Sequence, residues 1–224
     1  MVDATQAHMM DLVTEDQRVS LRGLGMLVEY PAGESVFREG QPSHSVLIID
    51  TGHVKVTRTA TDGAEVIMAI RGPGYIMGDE GVLMDEPRSA SVTAITDVTG
   101  VDVPARALID FVDQHQLWRM MYQAAVLRRR QSEEEVILTR VDVKSRLARW
   151  LLQLAAEVGE PVGGGWEIAS TLSQKDLAGR IGASRDAVAI ELRRLRDDGL
   201  VTTGRHRIVL HDLDAMRIRA GQNR

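Results

Sequence analysis

The segment Gly78-Asp79-Glu80-Gly81-Val82-Leu83-Met84-Asp85-Glu86-Pro87-Arg88-Ser89-Ala90 concentrates side chains suited to binding chemistry. A glycine and two carboxylates open it, and an arginine followed by a hydroxyl closes it. Arginine presents a planar fork of donors that matches phosphate oxygens. Serine and free main-chain N–H groups add more, and Asp79 or Glu80 can accept from a ribose hydroxyl. That set suits a sugar phosphate, so the segment reads as a nucleotide pocket. The same composition also describes an ordinary surface turn, and Arg88 can equally be held by Asp79 or Asp85 as an internal ion pair. The flanking sequence has to decide.

A second constellation lies near the C-terminus. Ser173 has the position of a helix N-cap with Asp176 three residues on, Leu177 and Ile181 supply a buried face, and Gly182 ends the run. Ser184 then caps a second helix in which Val188, Leu192 and Leu195 recur at helical spacing. A helix, a short glycine-containing turn and a helix form a helix-turn-helix. Leu200–Thr203 and Arg207–Leu210, around Gly204, read as a hairpin wing. With 188, 192 and 195 facing inward, the second helix turns Arg185, Asp186, Ala189, Ile190, Arg193 and Arg194 outward. Arginine bonds guanine O6 and N7, aspartate accepts from cytosine N4, and isoleucine packs on a thymine methyl. Lys175 at the start of the first helix and Arg205 or His206 in the wing can hold phosphates, and Ser173, Gln174 and Ser184 complete the candidate DNA-binding set. The bland alternative is that the arginines only solvate an outer face.

The elements that must position these groups follow from patterning. Thr14-Glu15-Asp16-Gln17 has capping-box spacing and predicts a short helix through Leu21, ending near Gly23 or Gly25. From Met26 to about Pro104, short apolar runs at 45–49, 53–57, 65–70 and 90–95 are separated by turns, with hairpin signals at Thr51-Gly52 and Asp62-Gly63. This predicts an antiparallel sandwich or barrel-like β domain. Helical character begins at Pro104, and no glycine or proline interrupts Leu117–Val141. There Met120, Ala124, Leu127, Gln131, Glu134, Leu138 and Val141 alternate by four and three, the spacing of a coiled-coil seam. An amphipathic helix lying on its own sheet is the alternative. A further helix is predicted over Val143–Val158. Gly159–Trp166, with three consecutive glycines, reads as a flexible loop.

Composition bounds the function. The chain has no cysteine, which excludes disulfides, cysteine-ligated iron–sulfur clusters and thiol catalysis. No signal peptide or membrane span is evident, so a cytoplasmic location with no membrane association is expected. His8, His44, His53 and His115 show no ligand spacing, and no metal or haem is predicted. No nucleophile–base pair stands out, so an enzyme is not expected. The net charge of −5 hides an asymmetry: residues 170–224 carry 11 Lys and Arg against 7 Asp and Glu, net +4, on an otherwise acidic body.

The assembled order is a β domain with Gly78-Asp79-Glu80-Gly81 and Arg88-Ser89-Ala90, a long helix, Val141-Asp142-Val143 with Arg146-Leu147-Ala148 at the helix junction, and Gly182-Ala183-Ser184-Arg185-Asp186 with Val188. It resembles the superfamily of the cAMP receptor protein and the fumarate–nitrate reduction regulator (CRP/FNR) over about residues 20–215. The resemblance implies an α+β chain: an N-terminal tail and short helix (1–25), a cyclic-nucleotide-binding-like antiparallel β-roll (26–115), a dimerisation helix (116–141) and a winged helix-turn-helix DNA-binding domain (142–224). It implies a homodimer on a near-palindromic double-stranded operator, RNA polymerase as a further partner, and a cyclic nucleotide such as cAMP as effector with no required cofactor. A ligand-independent or differently liganded regulator is the alternative.

Carried over position by position, Arg88 and Ser89 resemble the cyclic-phosphate ligands and Gly78 the close-approach glycine. Asp79 stands where cAMP binders usually have glutamate for the ribose, with Glu80 beside it. Gln131 and Ser132 fall where such members place polar residues against the adenine. Arg185 matches the family's guanine-reading arginine. Asp186 replaces the usual glutamate, and Ile190 occupies a position where a second base-reading arginine is common, so the half-site is expected to overlap the family's only in part.

Overall fold

The computed structural model describes residue 10 and residues 13–61, 63–137 and 142–222, with the main chain alone over 128–137. Within these bounds, one compact unit draws on 1–58 and 68–134, the other on 59–67 and 135–224.

The first unit starts with helix α1 (Glu15–Arg22), closed by the expected capping box. The Thr14 side chain accepts from the Gln17 N–H, Gln17 returns the bond to the Thr14 N–H, and Gly23 caps the end. Arg22 in its last turn pairs with Asp50, with one arm of the fork at 2.8 Å. Strands β1 (Met26–Tyr30), β2 (Ser35–Phe37), β3 (Ser45–Thr51), β4 (Val54–Thr59), β5 (Glu65–Arg71) and β6 (Ile76–Met77) follow in the chain, with 59–67 at the end of β4 and the start of β5 counted in the other unit, then the short helix α2 (Asp79–Met84), β7 (Ser91–Ala94) and β8 (Val98–Pro104). They form two four-stranded sheets, ordered β1-β8-β3-β6 and β2-β7-β4-β5.

The run Val46-Leu47-Ile48-Ile49 in β3 shows why its sequence lacks polar alternation. Val46 and Ile48 face a helix-covered core with Val101, Val103, Leu108 and Phe111. Leu47 and Ile49 face the opposite sheet, with Phe37, Val54, Val92 and Ala94. Both faces of the strand are dry, and every position is apolar.

Helix α3 (Ala105–Gln114) buries Leu108, Phe111 and Val112 on the first of these cores. Helix α4 (Trp118–Ile137) is 20 residues long, about 30 Å at the usual rise. Its first turns also belong to this core, through Met121 and Ala124, as does Leu117 just before the helix. Among the described seam positions, Ala124 is buried and Met120 and Leu127 are half-buried. The N-terminal part of α4 therefore packs on its own β domain. Leu138 and Val141 fall outside the described residues, as do the side chains of Gln131, Ser132 and Glu134.

The second unit contains α5 (Val143–Val158), β9 (Glu160–Val162), β10 (Gly165–Ala169), α6 (Gln174–Ile181), α7 (Arg185–Asp197), β11 (Val201–Gly204), β12 (Arg207–Leu210) and α8 (Leu213–Arg219). Its sheet is ordered β11-β12-β10-β9. One expectation is corrected here, and one element is added. Gly159–Trp166 is a strand, a tight turn and a strand start, because Trp166 pairs with both Leu210 and Pro161 and gives the glycine turn a hairpin to close. Helix α8, absent from the sequence reading, is capped by Asp212 and buries Met216.

Candidate ligand cavity and DNA-reading face

The segment singled out by its chemistry is not a simple turn. Gly78 adopts a left-handed conformation (φ 85°) as the N-cap of α2, which carries Asp79 and Glu80 in its first turn and ends at Asp85. The chain then runs outside regular secondary structure to Arg88, whose main chain is held from both sides: its N–H donates to Gln41 O (2.8 Å), and its carbonyl accepts from Gly40 N–H (2.9 Å).

The Arg88 side chain is buried, with 6% of its surface exposed. Nη1 donates to Gly78 O at 3.0 Å and Nη2 to Ser45 O at 2.7 Å, and the guanidinium carbon lies 3.7 Å from the centre of the Phe37 ring. The internal ion pair considered for Arg88 is thus replaced by two main-chain carbonyls and an aromatic face. Burial pulls the guanidinium below its ordinary pKa, and the charge of Asp102 partly offsets this. An arginine starts so high that it stays a cation at any physiological pH.

Gly78 has a specific reason to be glycine. A Cβ there would lie 2.1 Å from Arg88 Nη1 and 3.1 Å from the Phe37 ring. The close approach is to the arginine itself.

These groups line a cavity of about 810 Å³ within the first unit. Gly78, Asp79, Glu80, Arg88 and Ser89 are all on its wall. Ser89 is exposed, and its hydroxyl donates to Glu80 at 3.3 Å; Asp79 is buried and Glu80 exposed. Apolar side chains from β5, α2 and α4 complete the enclosure, among them Met68, Met84, Met121 and Tyr122. Sequence reasoning missed Phe37, Ser45 and Arg71. Arg71 lines the cavity with its guanidinium 4.9 Å from the Tyr75 ring. No local signal marks Phe37 or Ser45, because each meets Arg88 only through sheet packing. The cavity can take an anion at the Arg88–Ser89 end and a largely apolar, flat body beyond it.

In the second unit the helix-turn-helix is set by local bonds. The Ser173 hydroxyl accepts from Asp176 N–H and donates to the Asp176 carboxylate at 2.6 Å, while that carboxylate accepts from Ser173 N–H at 2.8 Å. Gly182, left-handed at φ 61°, closes α6. Ser184 caps α7 by accepting from Ala187 N–H at 3.1 Å. Val188, Leu192 and Leu195 are buried, as their spacing predicts. Asp142 caps α5 by accepting from both the N–H and the hydroxyl of Ser145, and these bonds hold its carboxyl below the usual range, with burial acting weakly the other way.

On α7 the side chains of Arg185, Asp186, Ile190 and Arg193 are exposed and Ala189 is half-buried. Arg194 is engaged with Glu191 at 2.6 Å. Ile190 is 54% exposed, an isolated apolar group on a charged face. Gln174 and Lys175 are exposed at the start of α6. The wing turns at Arg205 and His206, with His206 left-handed at φ 56°, so the turn lies just past Gly204, which is itself in β11. Both residues are exposed, and the His206 carbonyl accepts from Ser170 N–H at 3.0 Å. Neighbouring Arg207 pairs with Glu167 at 2.7 Å.

Residues 27–115 match the cyclic nucleotide-binding domain family, and residues 145–218 match the Crp-like helix-turn-helix domain family. The chain is 31% identical to the CRP-like cAMP-activated global transcriptional regulator of Mycobacterium tuberculosis, over 86% of this chain and 87% of that protein. This chain is a CRP/FNR-family transcriptional regulator.

The Cyclic AMP receptor protein of Thermus thermophilus is a more distant relative of this CRP/FNR protein, 27% identical over 78% of this chain and 79% of that one. A solved CRP-family transcriptional regulator, also from Thermus thermophilus, shares the fold, with a TM-score of 0.75 at 22% identity over 87% of this chain and 96% of that structure. The α+β architecture is that of the family, and its second unit carries the family's DNA-binding helix-turn-helix. Among the described residues, no helix is long and apolar enough to cross a membrane.

Proposed function

We propose that this CRP/FNR regulator is a homodimer whose hold on a near-palindromic operator is set by cAMP in the Arg88 cavity. The observation that carries this is a buried arginine on the wall of an 810 Å³ cavity, with the Ser89 hydroxyl next to it. Buried charge is costly unless it is paired; main-chain carbonyls neutralise none of it, and the charge of Asp102 offsets the burial only in part. An anionic ligand would neutralise it. The cyclic phosphate takes the Arg88–Ser89 end, Glu80 and Asp79 face the ribose hydroxyl, and the base extends toward α4, where Gln131 and Ser132 are assigned to its polar edge. Dimerisation is assigned to α4, which gives the ligand a lever on the subunit interface.

On the DNA side, Arg185 reads guanine, Asp186 cytosine and Ile190 a thymine methyl, with Ala189 and Arg193 bordering the base edges. Ser173, Gln174, Lys175, Ser184, Arg205 and His206 hold the backbone. Paired recognition helices would enter major grooves about 34 Å apart. The protein works in the cytoplasm, meets RNA polymerase at the promoter, and catalyses no reaction in this reading.

Calorimetric titration of cAMP into nucleotide-free protein tests the ligand. Saturable binding to wild type, absent in Arg88→Ala that remains folded, is the expected result. No binding to wild type that still holds DNA would point to a ligand-independent regulator.

A further inference from the structure

Arg88 is oriented by two kinds of contact. The carbonyls of Gly78 and Ser45 take one N–H from each terminal nitrogen, at 3.0 and 2.7 Å, and so fix the fork along one edge. Hydrogen bonds along an edge leave the guanidinium free to rock about that edge. The Phe37 ring, 3.7 Å from the guanidinium carbon, supplies the missing restraint, because a cation prefers the ring face to any tilted position. Phe37 is only 8% exposed, and its ring lies on the cavity wall with Arg88, Gly78 and Ser89. The missing Cβ of Gly78 leaves room for both groups: it would lie 2.1 Å from the arginine and 3.1 Å from the phenyl ring.

We infer that Phe37 is a positioning residue for the anion site: its ring sets the plane in which Arg88 presents its remaining N–H groups to a bound phosphate. Phe37 carries no donor or acceptor and acts only through Arg88. Its contribution is to the phosphate and not to the base or sugar. The inference rests on the nucleotide reading of the cavity.

The probes are cAMP and adenosine, which differ by the cyclic phosphate, titrated into the full-length protein. Wild type should prefer cAMP strongly. Phe37→Leu removes the ring face and should weaken cAMP roughly three- to thirty-fold while leaving adenosine nearly unchanged, so the ratio of the two affinities falls. Phe37→Tyr keeps the face and should restore the ratio. A general loosening of the core would lower both affinities together. If Phe37→Leu does not fold, Phe37→Met provides the same comparison with a longer apolar side chain. An unchanged ratio in the folded ring-less variant, or an equal loss of both ligands, overturns the inference while leaving the cavity assignment intact. Wild type that binds neither probe overturns the nucleotide reading, and the role of Phe37 falls with it.

Discussion

Arg88 and Arg185 are the same side chain in opposite settings. Arg88 is buried, bonded to two main-chain carbonyls and stacked on a ring, so the β domain is built around it. Arg185 is exposed in the first turn of α7, and the fold asks nothing of its guanidinium. The difference teaches where function and stability are coupled. At the cavity the groups that would bind ligand also hold β3, α2 and β2 in place, so few substitutions there change binding alone. On α7 the fold depends on Val188, Leu192 and Leu195, and the outward face is free to change operator preference without touching the core.

The largest effect that would sharpen this contrast is expected from Arg88→Ala. It removes the donor from the Ser45 carbonyl and one of two donors from the Gly78 carbonyl, which keeps the Val82 N–H at 3.4 Å, and it empties a packed buried site, so urea unfolding should register a loss of about 2–4 kcal/mol. Arg185→Ala should leave unfolding unchanged within about 0.5 kcal/mol and instead cost about 1–3 kcal/mol of operator affinity, with relaxed preference at one base pair. Equal stability effects would break the comparison.

Gly78→Ala comes next. The left-handed backbone alone costs roughly 1–2 kcal/mol for a residue with a Cβ. The new atom must also displace the Arg88 guanidinium, so ligand affinity should fall together with thermal stability. Loss of stability with intact cAMP affinity would show that Arg88 tolerates displacement.

The smallest effect concerns pH. The carboxyl of Asp142 titrates below its unfolded value because Ser145 donates to it twice. Its stabilising contribution is therefore complete above the unfolded carboxylate pKa of about 3.9 and disappears as pH falls through the lower folded value. Asp142→Asn, which still accepts a capping bond, should flatten part of the stability loss between about pH 5 and 3 in denaturant titrations. Identical acid profiles would contradict the assignment.

The two regions also differ in how much of each is legible in the sequence. Helix-turn-helix geometry is written in near neighbours: Ser173 with Asp176, Ser184 with Ala187, and Gly182 at the break, so spacing alone located α6, α7 and their buried faces. At the cavity, sequence could nominate Arg88 and Ser89 by their chemistry but could not find what holds Arg88. Ser45 is 43 residues away and contributes only a carbonyl, which any residue type supplies. Phe37 looks like any other core aromatic. Three glycines at 163–165 drew the reading toward a loop, although Gly165 pairs with Val162 across the turn; the partner that holds β10 in a sheet is the distant β12, which spacing cannot show. Helix α8 is seven residues long, too short for periodicity to declare it.

The central claim is that occupancy of the Arg88 cavity governs DNA binding. Its most direct test is fluorescence anisotropy of a labelled, selected operator duplex with wild type and folded Arg88→Ala, with and without saturating cAMP. Tighter operator binding on adding cAMP to wild type, and no response in Arg88→Ala, is the result predicted here. The same operator affinity in all four conditions would contradict it.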